Sequence, residues 1–165
     1  GETKFLGLKS TIKQGVFGQL NSPAVHKRYG KLEFVMAEAI IEGGIAVDAQ
    51  AQFGEDITTA FDQDGLIVPD GYIAQLGAVS KENIMTQKWL ALFGQGIEAW
   101  TELRRTGFPV MPAADPQAQF ENDGVLPTRL QYPNTEYSLN GANVESALGL
   151  LGGADNMKTP LWWVE

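Results

Sequence analysis

Side chains able to perform nucleophilic or acid–base chemistry are sparse in this sequence. The 165 residues include one histidine, His26, and no cysteine, so a Ser-His-Asp arrangement would depend on His26 and a cysteine nucleophile is excluded. The 20 acidic residues offer many carboxylate pairs. Linear spacing does not report the roughly 5–9 Å separation that glycoside hydrolysis requires. The sequence therefore nominates no catalytic residue, and we interpret His26 as a surface or capping residue.

Metal and phosphate sites are also weakly indicated. The run Asp62-Gln63-Asp64-Gly65 is similar to the start of a calcium-binding loop, but the glutamate that closes such a loop is missing. The glycine-rich stretches 94–96 and 149–153 lack the lysine of a phosphate-binding loop, so we interpret both as helix ends. We predict no metal and no cofactor.

An arginine pair is a candidate for ligand binding. Arg104 and Arg105 could hold a carboxylate or sugar hydroxyls through their planar guanidinium groups. Their position just before Gly107 favours a structural role, because cations in a last helical turn bond the end carbonyls and interact well with the helix dipole. Glu98 and Glu136 are the acidic partners that we propose for this pair.

Aromatic residues near the C-terminus present two similar alternatives. Their rings could stack on the apolar C–H faces of sugars, or they could anchor the end of the chain to a core. We favour anchoring, because the entropy lost in ordering so many loop residues must be offset by apolar burial. The anchoring candidates are Phe108, Phe120, Tyr132, Tyr137, Trp162 and Trp163, of which the last four are also the stacking candidates.

Composition limits the classes of partner. An apolar content of 44% with four tryptophans excludes a largely disordered chain, and no apolar run approaches the roughly 20 residues that span a bilayer. Twelve basic against 20 acidic residues give a net charge of −8, which disfavours binding to nucleic acid or anionic lipid. The absence of cysteine excludes disulfides and thiolate metal sites, and it indicates no particular redox compartment.

Two amphipathic helices joined by a short turn are predicted between residues 31 and 65. The first covers residues 31–42, where apolar residues recur at helical spacing, and ends at Gly43-Gly44. The second begins at Asp48, a capping residue, and ends at Gly65. The predicted buried residues are Leu32, Val35, Met36, Ala39 and Ile40 in the first helix and Phe53, Ile57, Ala60 and Phe61 in the second.

A longer helical stretch follows and is interrupted by glycine. After a brief helix within residues 69–76, the sequence predicts a helix over 81–93, capped by Ser80 or Asn83. Its predicted buried face consists of Met85, Trp89, Leu92 and Phe93. Gly94 and Gly96 break this helix, and a second helix continues to Arg105.

Proline determines the character of residues 108–165. Six of the eight prolines lie there, which excludes long regular elements except a helix near 142–150, capped by Asn140. We therefore predict a single domain with a loop-rich N-terminal segment (1–30), a helical core (31–107) and a loop-rich tail (108–165) packed on that core.

The order of these features resembles the C-terminal portion of the SusD/RagB family of outer-membrane nutrient-binding lipoproteins, most closely its SusD-like subgroup. The resemblance rests on the Ala-Glu-Ala of residues 37–39, the stretch 81–107 ending in Arg-Arg-Thr-Gly, the loop 126–140, and the final tryptophan pair. It implies a mainly α fold: a tetratricopeptide-like helix pair plus a long helix with a glycine break, wrapped by a loop-rich, proline-rich C-terminal tail. The motif residues that it nominates, in structural roles, are Glu38, Glu98, Trp100, Arg104, Arg105, Thr106, Gly107, Tyr132, Pro133, Glu136, Tyr137, Asn140 and Trp162.

The resemblance also implies a function. It implies the non-catalytic binding component of a SusCD-type, Bacteroidetes-type nutrient uptake system, which helps deliver an oligosaccharide or other nutrient to a SusC-like TonB-dependent transporter. We expect the chain to be a soluble portion of a longer cell-surface lipoprotein, held in the outer membrane by a lipid anchor that this chain lacks. Two alternatives stay open, a glycoside-acting hydrolase fragment and a purely structural interaction domain. The resemblance transfers no ligand-contacting residue and identifies no ligand.

Overall fold

Helices make up most of the regular structure of the chain. The computed structural model describes residues 2–5, 8–11, 29–114 and 122–164. Within these ranges, two strands, β1 (Glu2–Phe5) and β2 (Leu8–Thr11), precede six helices. The helices are α1 (Tyr29–Ile41), α2 (Ala49–Gln63), α3 (Tyr72–Gln75), α4 (Lys81–Ala91), α5 (Gly96–Thr106) and α6 (Asn134–Leu151). The prediction of a mainly α fold is confirmed.

Two strands replace part of the predicted N-terminal loop. They pair in antiparallel register, with Glu2 opposite Thr11 and Phe5 opposite Leu8. Two residues separate them along the chain, which is the commonest length for a β-hairpin connection, and threonine and phenylalanine favour extended backbone. The loop prediction is therefore wrong over these strands. Residues 12–28, with His26, lie outside the described residues.

Two helix starts are fixed by the side chains that the sequence nominated. Asp48 accepts hydrogen bonds from the backbone N–H groups of Gln50 and Ala51, at 3.0 and 3.1 Å. Ser80 accepts one from the N–H of Asn83 at 3.1 Å. Because each cap satisfies N–H groups that a helix leaves unpaired at its first turn, the predicted starts of α2 and α4 are confirmed.

Glycine ends α5 as predicted. Gly107 has a φ of 74°, in the left-handed region, and its N–H donates to the carbonyl of Leu103 at 2.9 Å. This geometry satisfies a carbonyl at the helix end, and glycine adopts it without the strain that a Cβ would introduce. The chain can therefore leave α5 in a new direction directly after Thr106.

The apolar core lies where α1, α2 and α4 meet. Phe34 of α1 packs edge-on against Phe53 of α2, with ring centroids 6.5 Å apart. The other members of this buried cluster are Ala37, Ile57, Ile84 and Met85. Full burial of a large apolar side chain contributes about 1.5–3 kcal/mol relative to exposure, so this cluster is the main apolar stabilisation of the helical part. The predicted burial of Phe53 and Ile57 is confirmed.

The buried face of α1 differs from the predicted one. Of the five predicted residues only Ile40 is buried, and Leu32, Val35 and Met36 are 57%, 44% and 38% exposed. The core instead receives Phe34 and Ala37, on the helix face that also carries Glu38. Apolar residues occur on nearly every side of α1, so periodicity alone does not select a face.

The predicted face of α4 is correct except at its end. Met85 and Leu92 are 2% and 1% exposed, and Trp89 is half-buried. Phe93 is 54% exposed, so its predicted burial is wrong. The reason is that α4 ends at Ala91, after which the chain no longer follows the helical spacing that relates Phe93 to Met85 and Trp89.

A helical stretch that the sequence did not predict precedes the predicted last helix. α6 starts at Asn134, directly after an extended Pro133. Asn140 has a non-helical φ of −138° and ψ of 28°, and this kink divides α6 into two helical stretches. The second stretch begins directly after Asn140 and contains the helix predicted near residues 142–150, so that prediction is confirmed. The stretch after Pro133 was interpreted as loop because of the proline-rich surroundings, although proline is well tolerated at a helix start.

A carboxyl group is buried in α2 with no cation paired to it among the residues that the structure describes. Asp56 is 0% exposed, and its Oδ1 accepts a 2.7 Å hydrogen bond from Gln52, while its Oδ2 has no partner. Burial raises the pKa of Asp56 to about 6; the hydrogen bond from Gln52 opposes this shift, and the negative charges of Glu33 and Glu55 reinforce it. The ionised form is therefore the costly one in the folded state.

We predict that Asp56→Asn flattens the dependence of stability on pH. Because the folded-state pKa of Asp56 is raised to about 6, its contribution to stability is complete below the unfolded pKa near 4 and is lost as the pH rises through about 6. In urea titrations, the free energy of unfolding of the wild type should fall by about 1 kcal/mol between roughly pH 5 and pH 7.5. Asp56→Asn should lose this decrease, whereas Asp62→Asn, on the exposed surface of the same helix, should keep it. An undiminished decrease in Asp56→Asn would contradict the assignment.

Candidate functional site

Four charged side chains from three helices form a closed ring of ion pairs, which we call the four-charge ring. Lys88 of α4 lies 3.1 Å from Glu38 of α1 and 3.0 Å from Glu102 of α5. Arg105 of α5 contacts the other oxygens of the two carboxylates, at 2.5 Å for Glu38 and 2.7 Å for Glu102. The Lys88 side chain is only 3% exposed. Each carboxylate thus meets two cations, and α1, α4 and α5 are joined at one point.

Hydrogen bonds within the four-charge ring favour the charged forms of Glu102 and Arg105. Burial alone would raise the pKa of Glu102, but hydrogen bonds from Arg105 and Lys88 outweigh it and hold that pKa below its ordinary value. Burial likewise would lower the pKa of Arg105, and hydrogen bonds to Glu102 and Glu38 raise it instead. The ion pair between these two side chains is therefore favoured in the folded state.

Arg104 contacts two indole rings, and we call these three residues the arginine stack. Its guanidinium carbon is 3.8 Å from the ring centroid of Trp100 and 4.9 Å from that of Trp163. Its Nη1 donates to the carbonyl of Thr128 at 2.5 Å, and Trp100 Nε1 donates to the carbonyl of Pro127 at 2.7 Å. Burial lowers the pKa of Arg104. These contacts connect α5 with residues 127–128 and 163.

The acidic partners proposed for the arginine pair bind elsewhere. Glu98 forms an ion pair with Lys31 of α1, and Glu136 accepts a 3.2 Å hydrogen bond from Asn140. Lys31 lies in the first turn of α1, and Glu136 lies in the first turn of α6. Glu98 therefore adds a second link between α5 and α1, and Glu136 bonds within its own helix.

Thr106 completes the end of α5. Its hydroxyl donates to the carbonyl of Glu102 at 2.8 Å and accepts a hydrogen bond from the N–H of Phe108 at 3.2 Å. Phe108 in turn packs against the apolar core. The Arg-Arg-Thr-Gly motif thus joins the helical core to the start of the C-terminal residues through contacts on both sides of Gly107.

Asp155 brings together several residues of the C-terminal part. Arg129 forms an ion pair with its carboxylate, and the N–H of Tyr132 and the hydroxyl of Tyr137 donate to Oδ2 at 3.1 and 2.6 Å. Gln131 Nε2 donates to the backbone carbonyl of Asp155 at 3.1 Å. Burial alone would raise the pKa of Asp155, but hydrogen bonds from Tyr137 and Arg129 hold it below its ordinary value. Sequence reasoning named the two tyrosines but missed Asp155.

Trp162 does not anchor the chain. It is 94% exposed, so the anchoring prediction is wrong for this residue, whereas the adjacent Trp163 belongs to the arginine stack. Tyr132 is half-buried, and Tyr137 is 43% exposed although its hydroxyl is bonded to Asp155. Phe120 lies outside the described residues. The two neighbouring tryptophans, indistinguishable by type, therefore occupy opposite environments.

Several depressions lie in the described surface, and two of them differ clearly in polarity. An apolar cavity of about 140 Å³ is bordered by the packed rings of Phe61 and Tyr72, whose centroids are 5.5 Å apart. A polar cleft of about 250 Å³ is lined by Asn122, Gln131, Asn156, Met157 and Lys158. The ammonium group and the side-chain amides around the second depression make it the more polar of the two.

Metal ligation and membrane crossing find no support among the described residues. That part of the chain contains no group of three or more His, Cys, Asp or Glu side chains placed to hold a metal ion. None of its helices combines the length and apolar character that crossing a bilayer requires.

This geometry defines a class of protein. It is a helical scaffold whose last helices and C-terminal residues are held in place by arginine, tryptophan and tyrosine contacts. The family model for SusD-like proteins, described as SusD and RagB outer membrane lipoproteins, matches residues 77–164. That stretch contains α4, α5, the whole arginine stack and Asp155. The chain belongs to the SusD-like family, and the resemblance identified in the sequence is confirmed.

Solved structures share the same fold. A Bacteroidetes SusD-like protein has a TM-score of 0.75 and 26% identity, over 87% of this chain and 31% of that one. A SusD homolog from Bacteroides fragilis NCTC 9343 has a TM-score of 0.70 and 26% identity, over 87% and 36% of the two chains. A chitin-binding protein has a TM-score of 0.70 and 28% identity, over 83% and 32%. The chain thus spans about a third of the length of these proteins. No curated protein sequence matches it significantly.

We predict that Lys88→Met strongly destabilises the fold. The substitution leaves Glu38 and Glu102, both largely buried, sharing the single cation of Arg105. Removing one member of a buried ion network costs about 3–5 kcal/mol, which urea denaturation would measure. Lys158→Met removes the exposed pair with Asp123 and should change stability little. Equal losses in the two variants would show that the four-charge ring does not have the proposed role.

We predict that Arg104→Lys loosens the arginine stack while the net charge is kept. A lysine ammonium lacks the planar guanidinium group that contacts both indole rings and also bonds the Thr128 carbonyl, so we expect a loss of about 1–2 kcal/mol. Near-ultraviolet circular dichroism should lose tryptophan signal, because Trp100 and Trp163 lose their fixed environment. Trp162→Phe, outside the stack, should leave stability unchanged. A wild-type spectrum and stability in Arg104→Lys would refute this role.

Proposed function

We propose that the chain is part of a non-catalytic, nutrient-binding component of a SusCD-type outer-membrane uptake system. The observation that carries this proposal is the match of residues 77–164 to the SusD-like family. The ligand is an oligosaccharide or another polymeric nutrient, which the whole protein delivers to a SusC-like TonB-dependent transporter. Similarity to a chitin-binding protein, at 28% identity, supports a glycan ligand.

The arrangement of carboxylates supports binding rather than hydrolysis. Glycoside hydrolysis requires one carboxyl group that gives a proton and another that acts as base or nucleophile. Glu38 and Glu102 are each held by two cations, and Asp155 is held by Arg129 and two tyrosines. The pKa values of Glu102 and Asp155 are held below their ordinary values, so these two carboxylates are poorly suited to give a proton to a substrate.

In this proposal the family-motif residues have structural roles. The motif residues in α5 and just after it join the helical core, residues 31–107, to the C-terminal part, residues 108–165, which packs against that core. Those near Asp155 fix the C-terminal part internally. Ligand-contacting residues then lie on exposed surfaces beside these fixed groups or in the remainder of the longer protein. That longer protein is held at the cell surface by a lipid anchor.

We predict glycan binding without turnover. Isothermal titration calorimetry of the full-length protein against a panel of soluble oligosaccharides, including chitohexaose, should give saturable heats with at least one ligand. A reducing-sugar assay on the same mixtures should show no increase over a heat-denatured control. Reducing ends that accumulate, and that disappear when one carboxylate is replaced by its amide, would establish an enzyme and overturn the proposal.

A further inference from the structure

The dipeptide Asn140-Gly141 lies at the kink that divides α6. Asn140 has a φ of −138° and a ψ of 28°, outside helical geometry, and its side chain is exposed. It is the only asparagine of the sequence that is followed by glycine. In such a pair the amide carbon of the asparagine, Cγ, is close to a backbone nitrogen that no side chain shields. The two residues are therefore suited to react with each other.

The kink lowers the conformational cost of bringing these two atoms together. In a regular helix, rotation about the Cα–C bond of an asparagine breaks backbone hydrogen bonds in the turns on either side. At Asn140 the backbone has already left helical geometry, so the same rotation disrupts less of the helix. The space beside Gly141 is also open, since a Cβ placed there would meet no neighbouring group within 4 Å.

Two side chains of α6 hold the amide of Asn140. Asn143 Nδ2 donates to Asn140 Oδ1 at 2.5 Å, and Asn140 Nδ2 donates to Glu136 Oε2 at 3.2 Å. When a nitrogen attacks Cγ, negative charge develops on Oδ1, and a donor that is already in place stabilises this charge. The contact with Asn143 therefore favours attack on Asn140, and the contact with Glu136 keeps Oδ1 turned towards that donor.

We propose that Asn140 is a self-modification site, at which the backbone nitrogen of Gly141 displaces the side-chain nitrogen with Asn143 as the donor to Oδ1. The Gly141 nitrogen bonds to Cγ and loses its proton, the Cγ–Nδ2 bond breaks, and Nδ2 leaves as ammonia with that proton. Water then opens the five-membered imide ring at either carbonyl carbon. The products are aspartate, with the original backbone, and isoaspartate, in which the chain continues through the side-chain carboxyl carbon. Water is the only co-reactant.

Either product changes the kink of α6. Aspartate at position 140 removes the donor to Glu136 and places two carboxylates one helical turn apart, which is unfavourable. Isoaspartate lengthens the backbone by one carbon at the same point. Both products affect the stretch before the kink, where the hydroxyl of Tyr137 bonds Asp155. This inference concerns the chemistry of α6 alone, so it holds or fails independently of the proposed function.

Peptide mapping of the full-length protein by tandem mass spectrometry tests the proposal. Trypsin releases residues 130–158 as one peptide, in which three further asparagines serve as internal controls for Asn140: Asn134, Asn143 and Asn156. After incubation at mildly alkaline pH, aspartate and isoaspartate should accumulate at Asn140 about tenfold faster than at any control. Equal rates at Asn140 and Asn143, both exposed on α6, would overturn the inference.

Three variants separate the role of the nitrogen from that of the donor. Gly141→Ala places a Cβ beside the attacking nitrogen without a clash and should slow the reaction about tenfold or more. Asn143→Ala removes the donor to Oδ1 and should slow it about twofold to tenfold. Ser146→Ala, on the exposed surface of the same helix, is the matched control and should leave the rate unchanged. Coincident circular dichroism spectra show that each variant is folded.

The ratio of the two products gives a second readout that does not depend on any variant. Only the imide ring opens in two ways, so isoaspartate must form together with aspartate. Aspartate alone at position 140, or a wild-type rate in Gly141→Ala, would show direct hydrolysis by water and overturn the inference. A wild-type rate in Asn143→Ala would overturn the part assigned to that donor.

Discussion

The buried ammonium group of Lys88 is the constraint on which the helical arrangement depends. An ammonium that is 3% exposed must be surrounded by carboxylates, and these come from two other helices, through Glu38 and Glu102. Because Glu38 must reach Lys88, the rotation of α1 about its own axis places the face that carries Glu38 inward. Apolar residues on other faces, such as Leu32, are then left in solvent. Replacing buried ion networks by apolar residues is often neutral or stabilising elsewhere, so we assign this one a role in specifying helix rotation and register.

Adjacent arginines on α5 transmit this arrangement to the C-terminal residues. Arg105 belongs to the four-charge ring, whereas Arg104 enters the arginine stack with Trp163 and bonds the Thr128 carbonyl. One helix therefore contacts both the core and the last residues of the chain. Residues 127–128 and Trp163 are thereby held in fixed positions beside α5.

Features governed by local chemistry could be predicted from the sequence, and features governed by distant partners could not. The cap at Asp48 and the stop at Gly107 involve residues within a few positions, so spacing reveals them. Periodicity could not select the buried face of α1, because apolar residues lie on nearly every side of this helix and the partners of Glu38 are supplied by helices far along the chain. The opposite environments of Trp162 and Trp163 depend on which one reaches Arg104, and residue type carries no information on that.

Native-state amide hydrogen exchange over increasing denaturant concentrations tests the central claim most directly. That claim is that the four-charge ring couples α1, α4 and α5 into one cooperative unit. The account predicts that the most protected amides of the three helices converge on the same free energy of opening. Amides of α1 that open at a markedly lower free energy than those of α4 and α5 would contradict it.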